Sequence, residues 1–146
     1  MIIRKLEAGD IAGIANLEKI CFSDPWSEAS IASELDNPLS VWFTALEGEN
    51  VIGYVGSQTV LDGSDMMNIA VSPEFRRMGV AEKLIDALIS ELRVRGSRCL
   101  ILEVRVSNIA AISLYTKLGF SEIGRRRNYY RNPKEDALIL RKGWSL

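Results

Sequence analysis

Two side chains in the second half of the sequence carry groups that exchange protons. Glu103 interrupts Leu100-Ile101-Leu102-Glu103-Val104-Arg105-Val106, a run that is otherwise apolar apart from Arg105. A carboxylate in such a strand is either a general base or half of an ion pair, and Arg105, two residues on and on the same face, is the expected partner. Tyr115 sits at helical spacing after Asn108, where a tyrosine either fills a core or donates a proton. A third feature suits an anion. The basic loop Pro73-Glu74-Phe75-Arg76-Arg77-Met78-Gly79-Val80-Ala81 leads from one apolar run into the next. A glycine and a small alanine at the opening of a helix let free backbone N–H groups approach an anion, and the helix dipole adds positive potential there. Arg76 and Arg77 reinforce it, and a diphosphate is the natural ligand, although the same residues also describe a solvated basic turn. The loop is neither G-x-x-x-x-G-K-[ST] nor G-x-G-x-x-G, which excludes the P-loop and the dinucleotide-binding fingerprint.

These residues need elements to hold them, and the hydrophobic spacing supplies a set. Ile2 to Leu6 reads as a strand; Asp10 then caps a helix carrying Ile11, Ile14, Leu17 and Cys21 at helical spacing. Ser27 caps a short helix through Ile31 and Leu35 that Asn37-Pro38 ends. Val41 to Leu46 and Val51 to Val60 flank Glu47-Gly48-Glu49-Asn50, predicting a hairpin with a four-residue loop. After the turn Asp62-Gly63-Ser64-Asp65, Met66 to Val71 continues the meander. From Val80, the stripe through Leu84, Leu88 and Leu92 predicts the longest helix, closed by Gly96. Cys99 to Val106 reads as a strand, Ile109 to Leu118 as a helix ended by Gly119, and Phe120 to Gly124 with Ala137 to Leu140 as a closing strand pair. This order predicts a mixed α/β sheet with helices on both faces, including a parallel crossover through the long helix.

Composition narrows the chemistry further. The 146 residues, 47% hydrophobic and 25% charged, suit one soluble domain spanning 1–146, expected as a monomer or weak dimer. A net charge of −1 gives no field for a nucleic-acid backbone. Histidine is absent, which removes imidazole-based hydrolase triads, zinc sites that use histidine and histidine pH switches. Cys21 and Cys99 stand apart with no C-x-x-C, so no metal is implied and both read as buried thiols. No apolar stretch approaches the length of a membrane span and no secretory leader is readable after Met1, so the cytoplasm is the expected compartment.

Together the proton-exchanging pair and the basic loop resemble the GCN5-related N-acetyltransferase (GNAT) superfamily. Its phosphate motif [Q/R]-x-x-G-x-[G/A] is matched by Arg76, Gly79 and Ala81, between a strand and the long helix. Leu102 to Ile112, Leu114-Tyr115, Leu118-Gly119-Phe120, Arg127-Asn128-Tyr129-Tyr130 with Glu135-Asp136-Ala137, and Pro25-Trp26-Ser27 are similar to its ribosomal-protein-alanine acetyltransferase (RimI) group. The resemblance covers essentially the whole chain and implies a mixed, mostly antiparallel sheet of about seven strands flanked by about four helices. It also implies acetyl-CoA as co-substrate. The backbone of Ile69, Ala70 and Val71 would hold the pantetheine arm; Arg77, Met78, Gly79, Val80, Ala81 and Glu82 would wrap the pyrophosphate; and Arg76, as the first residue of the motif, and Asn108 would bind the cofactor too. Glu103 matches the general base, Tyr115 the general acid, and Trp26, Tyr129 and Tyr130 would line the slot for a peptide N-terminus.

The implied reaction is direct transfer to a neutral amine. An α-amine with a pKa of about 7.8 is roughly a quarter neutral near pH 7.4, whereas lysine at about 10.4 is neutral to about one part in a thousand. This favours the N-terminus of a protein, an alanine of a small-subunit ribosomal protein by resemblance, over a lysine or small-molecule amine. A non-catalytic acyl-CoA-binding module would keep the Arg76 to Ala81 nest and have no need of Glu103 and Tyr115. Backbone N–H groups near the end of Met66 to Val71 would stabilise the oxyanion if the strands there widen. Arg125-Arg126-Arg127 and Arg131 read first as a solvated strand end and second as a docking face.

Overall fold

The computed structural model describes residues 1–146. In chain order its elements are β1 (Ile2–Lys5), α1 (Ile11–Cys21), α2 (Glu28–Leu35), β2 (Ser40–Glu47), β3 (Asn50–Val60), β4 (Gly63–Val71), α3 (Val80–Val94), β5 (Cys99–Arg105), α4 (Ile109–Lys117), β6 (Ser121–Tyr130) and β7 (Glu135–Gly143). The strands form one sheet in the order β1-β2-β3-β4-β5-β7-β6, antiparallel throughout except for the parallel pair β4–β5. The mixed α/β architecture read from the sequence is therefore the observed one, with α3 as the crossover that a parallel pair requires.

Strand alternation sends one set of side chains to each face. Val41, Phe43, Val55, Leu100, Leu102, Val104, Leu138 and Leu140 pack on the buried stripe of α3, which runs through Val80, Leu84, Ile85, Leu88, Ile89 and Leu92, and meet Tyr115 of α4. On the other face Trp42, Tyr54 and Ala70 pack against Ile14, Ala15 and Leu17 of α1 and Ile31 of α2. Truncating a fully buried leucine such as Leu88 to alanine would cost about 2–5 kcal/mol.

Several local expectations need correction. The β2–β3 hairpin pairs Glu47 with Asn50, so its loop is two residues, with Gly48 at φ +61° as a tight turn demands. β4 likewise begins at Gly63, pairing with Val60, because Leu61 takes the positive φ of the turn. Asp10 gives α1 no side-chain cap: its carboxylate accepts the Glu7 N–H at 2.9 Å and two hydrogen bonds from Arg4 at 2.7 and 2.9 Å. The last two strands are longer than expected, because exposed Arg125 and Arg126 carry no apolar signal yet pair with β7, and pairing resumes at Tyr130 after an irregularity that takes in Arg127. Cys99 is buried as expected, whereas Cys21 is half-buried at the end of α1.

Candidate active site

The parallel pair is short, and that shapes the site. β4 and β5 pair only at Gly63 with Cys99, Ser64 with Leu100 and Asp65 with Ile101; beyond these residues the two strands part. A bulge in β4, where Ser57 pairs with Met66 and Gly56 with Asn68, leaves Met67 unpaired at the start of the opening. The strand widening that oxyanion stabilisation requires is thus present. Ser72 donates its N–H to Ile52 across the β3 side. By antiparallel alternation Ala70 turns its backbone groups toward β3, while Ile69 and Val71 turn theirs into the gap. Of the three residues expected to offer backbone to a bound arm, Ile69 through its carbonyl and Val71 through its N–H are therefore placed for it, since Asn68 Oδ1 takes the Ile69 N–H and Arg76 the Val71 carbonyl, and Ala70 is not. An unpaired strand edge between two sheet halves fits an amide-bearing chain such as pantetheine.

Glu103 and Tyr115 reach this gap from opposite faces. Leu102 and Val104 point into the α3 core, so Glu103 and Arg105 between and after them point to the α1/α2 face. The expected Glu103–Arg105 pair does not form. Glu103 Oε1 instead meets Arg126 Nε of β6 at 3.0 Å. Arg105 is drawn away by the β6–β7 turn, donating to the carbonyls of Arg131 (3.0 Å) and Pro133 (2.9 Å) and pairing with Glu135 at 3.2 Å. Hydrogen bonding from Ser107 and Arg105 holds the Glu135 carboxyl below its ordinary range. Tyr115 lies under the opposite face, edge-on to Phe120 at 5.7 Å between centroids, and its hydroxyl makes no hydrogen bond within the chain. Burial, reinforced by the neighbouring Tyr130, pushes its pKa up to about 12, so the phenol keeps its proton at any physiological pH.

At the mouth of the gap, Gly79 precedes α3 in the left-handed conformation, φ +78°, and Val80, Ala81 and Glu82 open the helix with unpaired N–H groups. Arg77 at φ +63° and the exposed Met78 complete the turn. Arg76 does not extend into this turn: its Nε donates to the Val71 carbonyl at 3.2 Å and its Nη2 approaches Cys21 Sγ at 3.6 Å. It braces the end of β4. Glu82 pairs with Lys117 at 3.5 Å, linking the start of α3 to the end of α4. Asn108 caps α4, its Oδ1 accepting the Ala111 N–H at 3.2 Å, which leaves its Nδ2 as the group free to meet a ligand.

The α1/α2 face carries the three aromatic residues expected around an acceptor. Tyr129 and Tyr130 meet edge to face at 5.1 Å; Arg105 covers the Tyr130 ring at 4.4 Å and Arg126 the Tyr129 ring at 5.7 Å. Hydrogen bonding toward the Glu103 carboxylate raises the Tyr129 pKa, and burial pushes Tyr130 up to about 12. Trp26 sits in the α1–α2 connection with its indole 5.6 Å from Trp42. Sequence reasoning missed Glu18, Tyr54 and Asn68, which join under this face: Glu18, fully buried, accepts from the Tyr54 hydroxyl, from Asn68 Nδ2 at 2.7 Å and from the Trp26 N–H at 3.3 Å. A signal existed, since Glu18 falls one turn after Ile14 on the apolar stripe of α1.

A splayed parallel pair, a glycine-opened helix at its mouth, and a carboxylate and a phenol on opposite sides define a group-transfer site. The sequence profile of the Acetyltransferase (GNAT) family matches residues 11–120, and the chain belongs to that family. It is 39% identical over 140 residues to the [ribosomal protein bS18]-alanine N-acetyltransferase of Escherichia coli, covering 94% of each chain. It is 35% identical over 139 residues to a putative enzyme of the same name from Bacillus subtilis, covering 94% of this chain and 92% of that one. The crystal structure of the Escherichia coli ribosomal-protein-S18-alanine N-acetyltransferase superposes with a TM-score of 0.90 at 38% identity, over 99% of this chain and 94% of that one.

Proposed function

We propose that residues 1–146 act as one catalytic domain that transfers acetyl from acetyl-CoA to the α-amine of an N-terminal alanine, with ribosomal protein bS18 as the substrate. The observation that carries this reading is the β4–β5 gap with Glu103 on one face and Tyr115 on the other. The similarity to the alanine acetyltransferase of Escherichia coli over nearly the full length supports the substrate. No helix of the chain is long and apolar enough to cross a membrane. A ribosomal substrate would place the reaction in the cytoplasm.

In this reading the gap edges of Ile69 and Val71 hold the pantetheine arm, and the turn from Arg77 to Glu82 holds the pyrophosphate through backbone N–H groups. Arg76 supports the site by bracing β4. Trp26, Tyr129 and Tyr130 bound the peptide slot. The neutral amine attacks the thioester carbon, Glu103 accepts the proton the nitrogen sheds, directly or through water, and the C–S bond breaks to release the thiolate. Tyr115 faces that sulfur as a proton-bearing donor. With its pKa near 12 against about 8.5 for a thiol, full transfer is uphill by roughly 5 kcal/mol, so the hydrogen bond stabilises the thiolate and final protonation comes from solvent.

Mass spectrometry of two peptides incubated with acetyl-CoA tests the substrate class: one with a free N-terminal alanine, the other N-terminally blocked with an internal lysine. Modification of the free alanine alone is expected. Modification of the lysine moves the function to side-chain acetylation, and modification of neither, with acetyl-CoA still bound, leaves another amine acceptor or an acyl-CoA-binding module.

A further inference from the structure

Glu18 is a fully buried carboxylate, no lysine or arginine reaches it, and the transfer chemistry does not use it. Burying a carboxylate without a cation is costly unless hydrogen bonds compensate, and here three donors converge on it. Each belongs to a different part of the site. The Trp26 N–H, on Oε2, comes from the connection that bounds the peptide slot. Asn68 Nδ2, on Oε1, comes from the residue after the β4 bulge, and the same side chain accepts the Ile69 N–H through Oδ1 at 3.1 Å. The Tyr54 hydroxyl, also on Oε1, comes from β3 opposite Ala70, and burial followed by the Glu18 hydrogen bond raises its pKa so that it stays a donor. Trp26 packs on Trp42, and Trp42 stacks on Tyr54 with planes 8° apart, closing a ring through Glu18. The ring needs Gly56, where a Cβ would lie 2.3 Å from the Trp42 indole.

We propose that Glu18 is a positioning residue that fixes the amine-side loop at Trp26 and the thioester-side strand at Asn68–Ile69 relative to one another, without touching either substrate. The inference rests on the transferase reading above. Only a carboxylate serves both sides at once. A glutamine has one acceptor oxygen, so it must surrender either the Trp26 N–H or the Asn68 amide together with the Tyr54 hydroxyl.

Steady-state kinetics of Glu18→Gln, Asn68→Asp and the double variant, with varied alanine-initiated peptide and varied acetyl-CoA, test this. Each single change is expected to lower kcat/KM by about ten- to a hundredfold, the cost of misplacing reacting groups by a fraction of an ångström to an ångström. The double variant should recover part of the loss, because the new amide at position 18 then donates to the new carboxylate at 68 and still accepts from Trp26, while the Tyr54 hydroxyl alone loses its acceptor. Singles within about twofold of wild type while Tm falls, or single defects that multiply in the double, would overturn the proposal. If the wild type acetylates no peptide, the transferase reading fails, and calorimetric acetyl-CoA affinity decides this inference instead. Affinity should then drop in Asn68→Asp and return in the double, and an unchanged affinity overturns it.

Discussion

On the α1/α2 face the β4–β5 gap is lined by charge: Glu103 with Arg126 across from it, Arg105 over Tyr130, and the half-exposed Tyr129. On the α3/α4 face the same gap is lined by Tyr115, buried against Phe120, with no charged partner and no hydrogen bond. The two faces use solvent in opposite ways. In the proposed reaction the base must return its proton to water after each turnover, and the Glu103 side chain is partly exposed. In the same proposal a donor must hold its proton until a thiolate forms, and the burial that raises the Tyr115 pKa would serve that role.

The largest expected effect comes from removing the charged side of this comparison. Glu103→Gln should lower kcat by about a hundredfold or more and leave the calorimetric Kd for acetyl-CoA nearly unchanged; an unchanged kcat would show that the polar face carries no base. Tyr115→Phe, a smaller change on the sealed face, should lower kcat by about ten- to a hundredfold, since it removes one hydrogen bond to the departing sulfur.

The anion nest sharpens the contrast from a third direction. A Cβ at Gly79 meets nothing within 4 Å, so Gly79→Ala adds backbone strain alone. The left-handed conformation then costs about 1–2 kcal/mol. Acetyl-CoA affinity should weaken by about tenfold and Tm should drop by a few degrees, both readable by calorimetry. A variant with wild-type affinity would remove the turn from the diphosphate site.

The folding elements were legible because their apolar spacing is strong: the stripe of α3, the β2–β3–β4 meander and the strand–helix order of β5 and α4 all follow from it. Legibility failed where tertiary partners decide. Glu103 and Arg105 share a face in one strand, but β6 and the β6–β7 turn offer each a better-placed partner, and strand neighbours two apart cannot reveal that. Arg76 has the chemistry of a phosphate ligand, yet the Val71 carbonyl at the frayed end of β4 claims it. The position of Glu18 on the apolar stripe of α1 marks it as buried, but no local pattern shows that Tyr54 and Asn68 arrive from distant strands to meet it.

Two smaller effects complete the comparison. Arg126→Gln removes an ion pair whose arginine is more than half exposed, worth about 0.2–1 kcal/mol, so kcat/KM should change by no more than about fivefold. A larger loss would show that Arg126 positions the Glu103 carboxylate. Tyr115 predicts an alkaline effect on stability. Its pKa is 10.0 in the unfolded reference and about 12 when folded, so the unfolded chain releases the proton first. Stability present below pH 10 is therefore lost as pH rises through 12, by up to roughly 2.7 kcal/mol from this residue. Denaturant titrations of Tyr115→Phe should show a flatter decline over that window, and an identical decline would place the phenol in contact with water.

In the proposed reaction thioester and amine meet within the gap from its two sides. The most direct test is the affinity of a conjugate in which the α-nitrogen of an alanine-initiated peptide is joined to CoA through an acetyl bridge. The conjugate is expected to bind more tightly than CoA or the peptide alone, because one molecule spans both subsites at once, and more tightly than the same bridge built on a lysine side chain. A conjugate that binds no better than CoA would contradict it, placing the amine outside the opening between β4 and β5.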